Sequence, residues 1–195
     1  MTWDLSRPVH EVAPTLLGAV LRHGEVAVRL TEVEAYDGAS DPASHAFRGR
    51  TPRNAVMFGP PGHLYIYFSY GIHWNANVVC GPDGSASGVL LRAGEVIDGV
   101  EVARTRRGRS VDRDLARGPG RLCQALGLTR DHGGVDLFGR GPVTLEPGEP
   151  PAMIDVGPRV GVSVEADRPW RFWEAGSRYV SNYKRSPRAP AAARD

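Results

Sequence analysis

Leu64-Tyr65-Ile66-Tyr67-Phe68-Ser69-Tyr70-Gly71 is the stretch whose reading decides the fold. Leu64, Ile66 and Phe68 fall on one side and Tyr65, Tyr67 and Ser69 on the other, the period of a half-buried strand rather than of a helix. Gly71 permits a tight reversal, and residues 75–79 and 88–92 read as returning strands. Tyr70 then sits at a hairpin tip, where a large ring has little core to pack against.

Working outward, residues 25–36 read as another strand, ending Thr31-Glu32-Val33-Glu34-Ala35-Tyr36. Val26, Val28 and Leu30 share one face, and Val33 and Ala35 occupy the other. In a regular strand Glu32, Glu34 and Tyr36 would continue the first apolar face and carry a carboxylate towards the interior. Residues 13–20, 98–107 and 119–126 read as short helices, and 159–164 and 170–173 as late strands. Short strands and helices without a βαβ rhythm, with 24 Gly and 16 Pro for turns, predict an α+β fold. The expected architecture is a single domain on a curved, largely antiparallel β-sheet with flanking short helices and a protruding hairpin. Residues 1–183 form that domain in this reading, and the Pro, Ala and Arg composition of 184–195 predicts a disordered tail.

The 195 residues, 41% of them hydrophobic, suffice for one sizeable core. No basic-then-apolar leader and no apolar run near the ~20 residues of a bilayer span are present, so the expectation is a cytoplasmic protein without a membrane partner. Cys80 and Cys123 lie far apart without metal-site spacing and read as small buried hydrophobes. Lys184 is the single lysine, and every other cationic side chain is arginine. Arginine's planar fork grips phosphate and stacks on bases, which suits a nucleic-acid partner; a GC-rich genome gives the same bias. Arg104, Arg106, Arg107, Arg109, Arg113, Arg117 and Arg121 crowd one segment and Arg48, Arg50 and Arg53 another, two loops able to clamp a duplex, although Asp112 and Asp114 also allow a solvated charged face for the first.

The chemistry-bearing candidates are few. Glu34 beside aromatic rings can act as a general base towards water, and an arginine nearby would orient that water. Tyr36, His45 and Tyr67 suit a flat heterocycle, though each equally suits a core. An exposed Tyr70 can fill the gap left when a nucleotide leaves a base stack. Nucleotide-binding glycine motifs, zinc-protease motifs and Ser or Cys nucleophile signatures are absent. Glu32 and Glu34, two apart on one face, leave a carboxylate-pair glycoside hydrolase open as a rival, and a non-catalytic nucleic-acid-binding module is another.

Thr31 to Tyr36, Ser44-His45-Ala46, Arg50-Thr51-Pro52-Arg53-Asn54, Met57-Phe58, Leu64 to Tyr67, Tyr70-Gly71, Asn77, Val89 to Arg92, Gly118-Pro119, Leu122 to Leu126 and Arg159-Val160-Gly161-Val162 resemble, in the same order, the 3-methyladenine (alkyladenine) DNA glycosylase family. This is the mammalian-type family, unrelated to helix-hairpin-helix glycosylases, and the resemblance runs from near Leu16 to near Ser181. It implies that Glu34 is the general base, with Arg92 and the main-chain carbonyl of Val160 holding the attacking water. Tyr36, His45 and Tyr67 match the walls around a flipped base, and Asn77 the side chain that crowds the exocyclic amine of guanine. Tyr70 matches the intercalating wedge, and Arg50, Thr51 and Gly161 the contacts to the DNA backbone.

The implied activity is base-excision repair of alkylated or deaminated purines in double-stranded DNA, with release of the base and an abasic site. This chemistry needs no metal or organic cofactor, acting on a short duplex requires only a monomer, and the expected location is cytoplasmic, at the nucleoid. Cationic alkylated purines would gain from a π-rich pocket. With its one lysine in the tail, the enzyme is expected to lack lyase activity. The sequence departs from the family pattern at Arg178, where a proline is common, and in the 101–117 segment, whose length varies.

Overall fold

The computed structural model describes residues 3–69 and 71–191. In chain order the elements are α1 (Val9–Thr15), β1 (Val20–His23), β2 (Val26–Asp37), β3 (Leu64–Ser69), β4 (His73–Cys80), β5 (Ser87–Asp98), α2 (Val100–Arg107), α3 (Pro119–Leu126), β6 (Val143–Glu146), β7 (Ile154–Gly157) and β8 (Arg171–Glu174), with four short 3-10 turns between them. The strands form one curved sheet in the order β3-β4-β5-β2-β1-β6, with β8 pairing to β2 and β7 to β8, and every pairing is antiparallel. The α+β expectation therefore holds.

β2 and β5 are the sheet's spine, and their pairing is irregular at one informative place. The register slips between Leu30 and Glu32 and again between Glu32 and Val33. Val26, Val28 and Leu30 lie in the main core, and so do Val33 and Ala35, so the strand changes which parity faces the core across the bulge. This corrects the regular-strand expectation. Glu32, Glu34 and Tyr36 do not continue the apolar face; they lie opposite it. On the facing stretch of β5 the side chains alternate: Val89 and Leu91 join the core, whereas Leu90 and Arg92 face the other way into a cavity.

The hairpin of β3 and β4 matches its prediction, pairing Leu64 with Val78 through Ser69 with His73. Gly71 has φ +67°, the left-handed conformation that the reversal needs. Tyr70, assigned to the tip, lies outside the described residues. α3 also follows its sequence signals. Pro119 opens it, Gly127 in the left-handed region closes it, and the Leu128 N–H returns to the Cys123 carbonyl at 2.8 Å. Its buried Leu122, Cys123, Ala125 and Leu126 pack on β4 and β5.

Two elements differ from expectation. The first helix runs from Val9 to Thr15 rather than over 13–20, because it starts after Pro8, which fixes an extended entry (ψ 137°), and Gly18 at φ +85° turns the chain into β1. Residues 159–164 form a loop rather than a strand, for reasons given below. Residues 184–191, whose composition reads as a tail, carry contacts: the Lys184 carbonyl accepts from Gly161 N–H at 2.9 Å, and Arg185 pairs with Asp167 at 2.5 Å. Cys80 and Cys123 are buried free thiols, pushed up by burial, Cys80 to about 12. Among the described residues no helix is long and apolar enough to cross a membrane.

Gly94 lies where β2 and β5 press together. A Cβ there would stand 2.4 Å from the Arg29 carbonyl oxygen and 2.4 Å from Val28 Cγ1. Gly94→Ala is expected to destabilise the fold by about 1–3 kcal/mol through overpacking, read as a lower urea midpoint with an unchanged slope.

Candidate active site

The bulge in β2 aims three consecutive outward residues at one another. Glu34 is fully buried and accepts three hydrogen bonds: from the Tyr36 hydroxyl at 2.9 Å, from Arg92 Nη1 at 3.2 Å and from the Val160 main-chain N–H at 2.6 Å. Arg92 reaches Glu32 with its Nε at 3.0 Å, so one guanidinium bridges both carboxylates. Glu32 is also fully buried, and it accepts from Arg171 Nε at 2.7 Å and from the Ser181 N–H at 2.7 Å and hydroxyl at 2.9 Å. Burial opposes the charge of Glu32, yet Arg92, Arg171 and the Ser181 N–H outweigh it and hold the carboxyl below its usual range. Burial likewise opposes the charge of Arg92, and Glu34 and Glu32 more than offset it, raising its pKa. Burial first, and then the Glu34 charge, push the Tyr36 phenol well up, so Tyr36 keeps its proton and donates it.

Above this network opens a cavity of about 700 Å³, within the range of small-ligand sites. Tyr36, His45, Tyr65, Tyr67, Asn75, Asn77, Arg92, Val160 and Gly161 are among its walls. His45 stands edge-on to Tyr67, with ring centres 4.4 Å apart, and its Nδ1 lies 3.4 Å from the Tyr65 hydroxyl. Crowding by these rings, and secondarily the Arg53 charge, lower the His45 pKa, so the imidazole is neutral at neutral pH. Burial pushes Tyr65 up to about 12 and also raises Tyr67. Asn77 donates to the Tyr65 carbonyl at 3.3 Å, which fixes its amide at the cavity wall.

The loop of residues 158–164 forms the remaining wall. Its backbone donors serve partners other than a strand: Val160 N–H goes to Glu34 and Gly161 N–H to Lys184. Gly161 adopts φ +73°, which breaks the extended run. Arg159 anchors the loop from beneath. It is buried, donates to Asp41 at 2.5 and 3.0 Å and to the Ala35 carbonyl at 3.0 Å, and stacks 4.6 Å from the centre of the Tyr36 ring. Burial opposes the Asp41 charge, but the Arg159 hydrogen bonds and charge win and lower its pKa.

Of the residues selected from sequence, the structure brings Arg92, Val160, Tyr36, His45, Tyr67, Asn77 and Gly161 together on the walls of this cavity, with Glu34 directly behind Tyr36, Arg92 and Val160. Arg50 and Thr51 are exposed and stand outside its walls; Thr51 is tied to Asn54 at 2.6 Å. The other arginine cluster is not a free basic loop. Arg104 pairs with Glu101 and Asp112, Arg106 and Arg107 donate to the Ala125 and Leu115 carbonyls, and Arg117 binds Asp114, Asn182 and the Val180 carbonyl. Sequence reasoning missed the roles of Asp41, Arg159, Arg171 and Ser181. Neither carboxylate is itself a wall of the cavity, but they differ in what stands between: the three donors of Glu34, from Tyr36, Arg92 and Val160, all line it, whereas of the residues that enclose Glu32 only Arg92 does, which sets Glu32 apart from a hydrolytic pair.

The profile of the methylpurine-DNA glycosylase family matches residues 4–178. A protein of Nocardia farcinica named "Putative 3-methyladenine DNA glycosylase" is 60% identical over 190 residues, covering 93% of this chain and 90% of that one. Namesakes from Frankia casuarinae (56% identical, covering 94% and 92%) and Corynebacterium jeikeium (55% identical, covering 92% and 90%) are similar to the same extent. The chain belongs to the methylpurine-DNA glycosylase family. It is a DNA glycosylase of base-excision repair, a hydrolase of N-glycosyl bonds whose substrate is damaged DNA.

Asp41 and Glu32 are held below their ordinary values of 3.8 and 4.5. A depressed carboxyl contributes its stability in full above the unfolded-state value and loses it as pH falls through the folded-state value. The urea midpoint is therefore expected to fall as the solution is acidified below about pH 4. Arg159→Met strands Asp41 and should cost about 3–5 kcal/mol at neutral pH, a deficit that narrows in acid as Asp41 takes up a proton.

Proposed function

We propose that the cavity receives a damaged purine flipped out of duplex DNA and that Glu34 activates the water that cleaves its N-glycosidic bond. The observation that carries this reading is Glu34, buried beneath an aromatic-walled cavity with Arg92, Tyr36 and the Val160 N–H on its oxygens. In the reaction the water oxygen bonds to C1′, the bond from C1′ to the base nitrogen breaks with its electron pair leaving on the base, and the water proton passes to Glu34. The products are a free base and an abasic site.

Because Glu34 has no exposed surface, the attacking water takes the place of one of its present donors. The Val160 N–H is the natural one to yield, since the water that replaces it can bridge Glu34 and the Val160 carbonyl, which belongs to the following peptide. Arg92 remains to orient the nucleophile, and the Glu34 carboxylate stabilises the positive charge that grows on the sugar. Tyr36, His45 and Tyr67 hold the base by stacking, each such contact being worth roughly 1–3 kcal/mol without demanding one sequence. Asn77 disfavours normal guanine through its exocyclic amine. Tyr70 fills the gap in the stack, and Arg50, Thr51 and Gly161 hold the backbone. The protein acts as a monomer on double-stranded DNA in the cytoplasm, at the nucleoid, and needs no cofactor. The relatives' name points to 3-methyladenine as their substrate, and we extend alkylated purines to this chain.

Glu34→Gln should lower single-turnover release of the damaged base by about 10²–10⁴-fold while lesion binding is retained. Equal release by the variant would reject the mechanism, and binding without any release by the wild type would favour the non-catalytic module. Borohydride should trap no covalent enzyme–DNA adduct, because the one lysine, Lys184, stands on the backbone segment that binds Gly161 and is not among the walls of the cavity. Binding should weaken with salt along a steep linear log–log plot.

A further inference from the structure

The pocket's charges are unevenly paired. Glu32 and Glu34 share Arg92 and Arg171, and Asp41 is matched by Arg159. Arg53 stands on the opposite wall, and among the described residues no carboxylate lies within ion-pair distance of it. Its guanidinium is fixed by donating to the Phe68 carbonyl at 2.9 Å, and it lies 6.0 Å from the centre of the Tyr67 ring. His45, on the same cavity, is neutral at neutral pH and adds no further positive charge. On the other wall the buried Arg159 covers one face of Tyr36, leaving only the opposite face for a ligand. Both stacking rings thus already face a cation, which draws on the same π-density that a cationic base would use.

We infer that Arg53 makes this pocket discriminate by the charge of the base, favouring excision of purines that are neutral before cleavage, such as deaminated ones, over those already cationic by alkylation. The inference rests on the glycosylase mechanism proposed above. When the bond to C1′ breaks, its electron pair goes to the base. A neutral purine departs as an anion until it is protonated, whereas a cationic alkylpurine departs neutral. Both departures move one negative charge onto the base, so from the bound complex a guanidinium aids them equally; measured from free enzyme and duplex, it stabilises the anionic departure and opposes the entry of the cationic base. The expectation that a π-rich pocket favours cationic lesions is thereby offset at both rings.

The test measures single-turnover release of hypoxanthine and of 7-methylguanine from otherwise identical duplexes by wild type, Arg53→Met and Arg53→Lys, at enzyme concentrations well below saturation so that entry of the base counts in the rate. In Arg53→Met the hypoxanthine rate should fall at least about tenfold further than the 7-methylguanine rate, as expected for removal of a unit charge at this range. Arg53→Lys, which keeps the charge and loses the planar fork, should hold the wild-type ratio. A ratio that does not move in Arg53→Met, including equal losses on both substrates, overturns the inference, as does a ratio displaced equally in Arg53→Lys. Release of neither base by the wild type would refute the glycosylase mechanism and this inference with it; release of both with an unmoved ratio refutes the role of Arg53 alone. Because each ratio is taken within one protein, partial unfolding of a variant cancels.

Discussion

One guanidinium shared by two buried carboxylates is the constraint on which this molecule depends. Arg92 is 7% exposed, and Glu32 and Glu34 are not exposed at all. Such a cluster is a weak source of stability, because removing charges from water costs nearly what their mutual attraction returns. Its tolerance comes from near-complete hydrogen bonding. Glu32 is surrounded by Arg92, Arg171 and two groups of Ser181, which leaves Arg92 Nη1 directed at Glu34. Glu32 therefore orients the arginine that orients Glu34, and it does so out of reach of the cavity.

That cluster exists because the sheet has two different faces to serve. One buries Val28, Leu30, Val33, Val89 and Leu91 in the core; the other turns Leu90 and Arg92 into the cavity, with Glu34 and Tyr36 beside them. A strand that kept strict alternation from Val26 to Tyr36 would send Glu32 and Glu34 into the hydrocarbon interior, where charges without partners cannot persist. The slip between Leu30 and Val33 is what allows one strand to begin as core and end as active-site wall. Glycine at position 94 allows β2 to approach β5 closely enough for the switch.

What was legible in the sequence follows from how local each signal is. The β3–β4 hairpin and α3 were readable because alternation, Gly71, Pro119 and Gly127 act within a few residues. The parity change in β2 showed only as a break in alternation at residues 30–33, with nothing to say which half would face the core. Residues 159–164 read as a strand because Val160, Val162 and Val164 alternate. Hydrogen-bond demand from Glu34 and Lys184, both remote in sequence, decided otherwise. Asp41 and Arg159 were invisible as a pair for the same reason, and the arginines of α2 and its flanks turned inward to carbonyls that no composition count reveals.

Remote contacts also explain why so late a part of the chain belongs to the site. Ser181 binds Glu32, the Val180 carbonyl and Asn182 bind Arg117, and the Lys184 carbonyl takes the N–H of Gly161 next to Val160. Residues 180–184 thus join the carboxylate cluster to the loop that faces it. Arg159 fastens the same loop from the other side through Asp41 and passes beneath Tyr36. Val160 is held at both neighbouring positions, which limits its peptide to small displacements about the Glu34 carboxylate. A peptide so confined can exchange its N–H for a water without opening the loop, and the same confinement keeps that water within reach of Arg92.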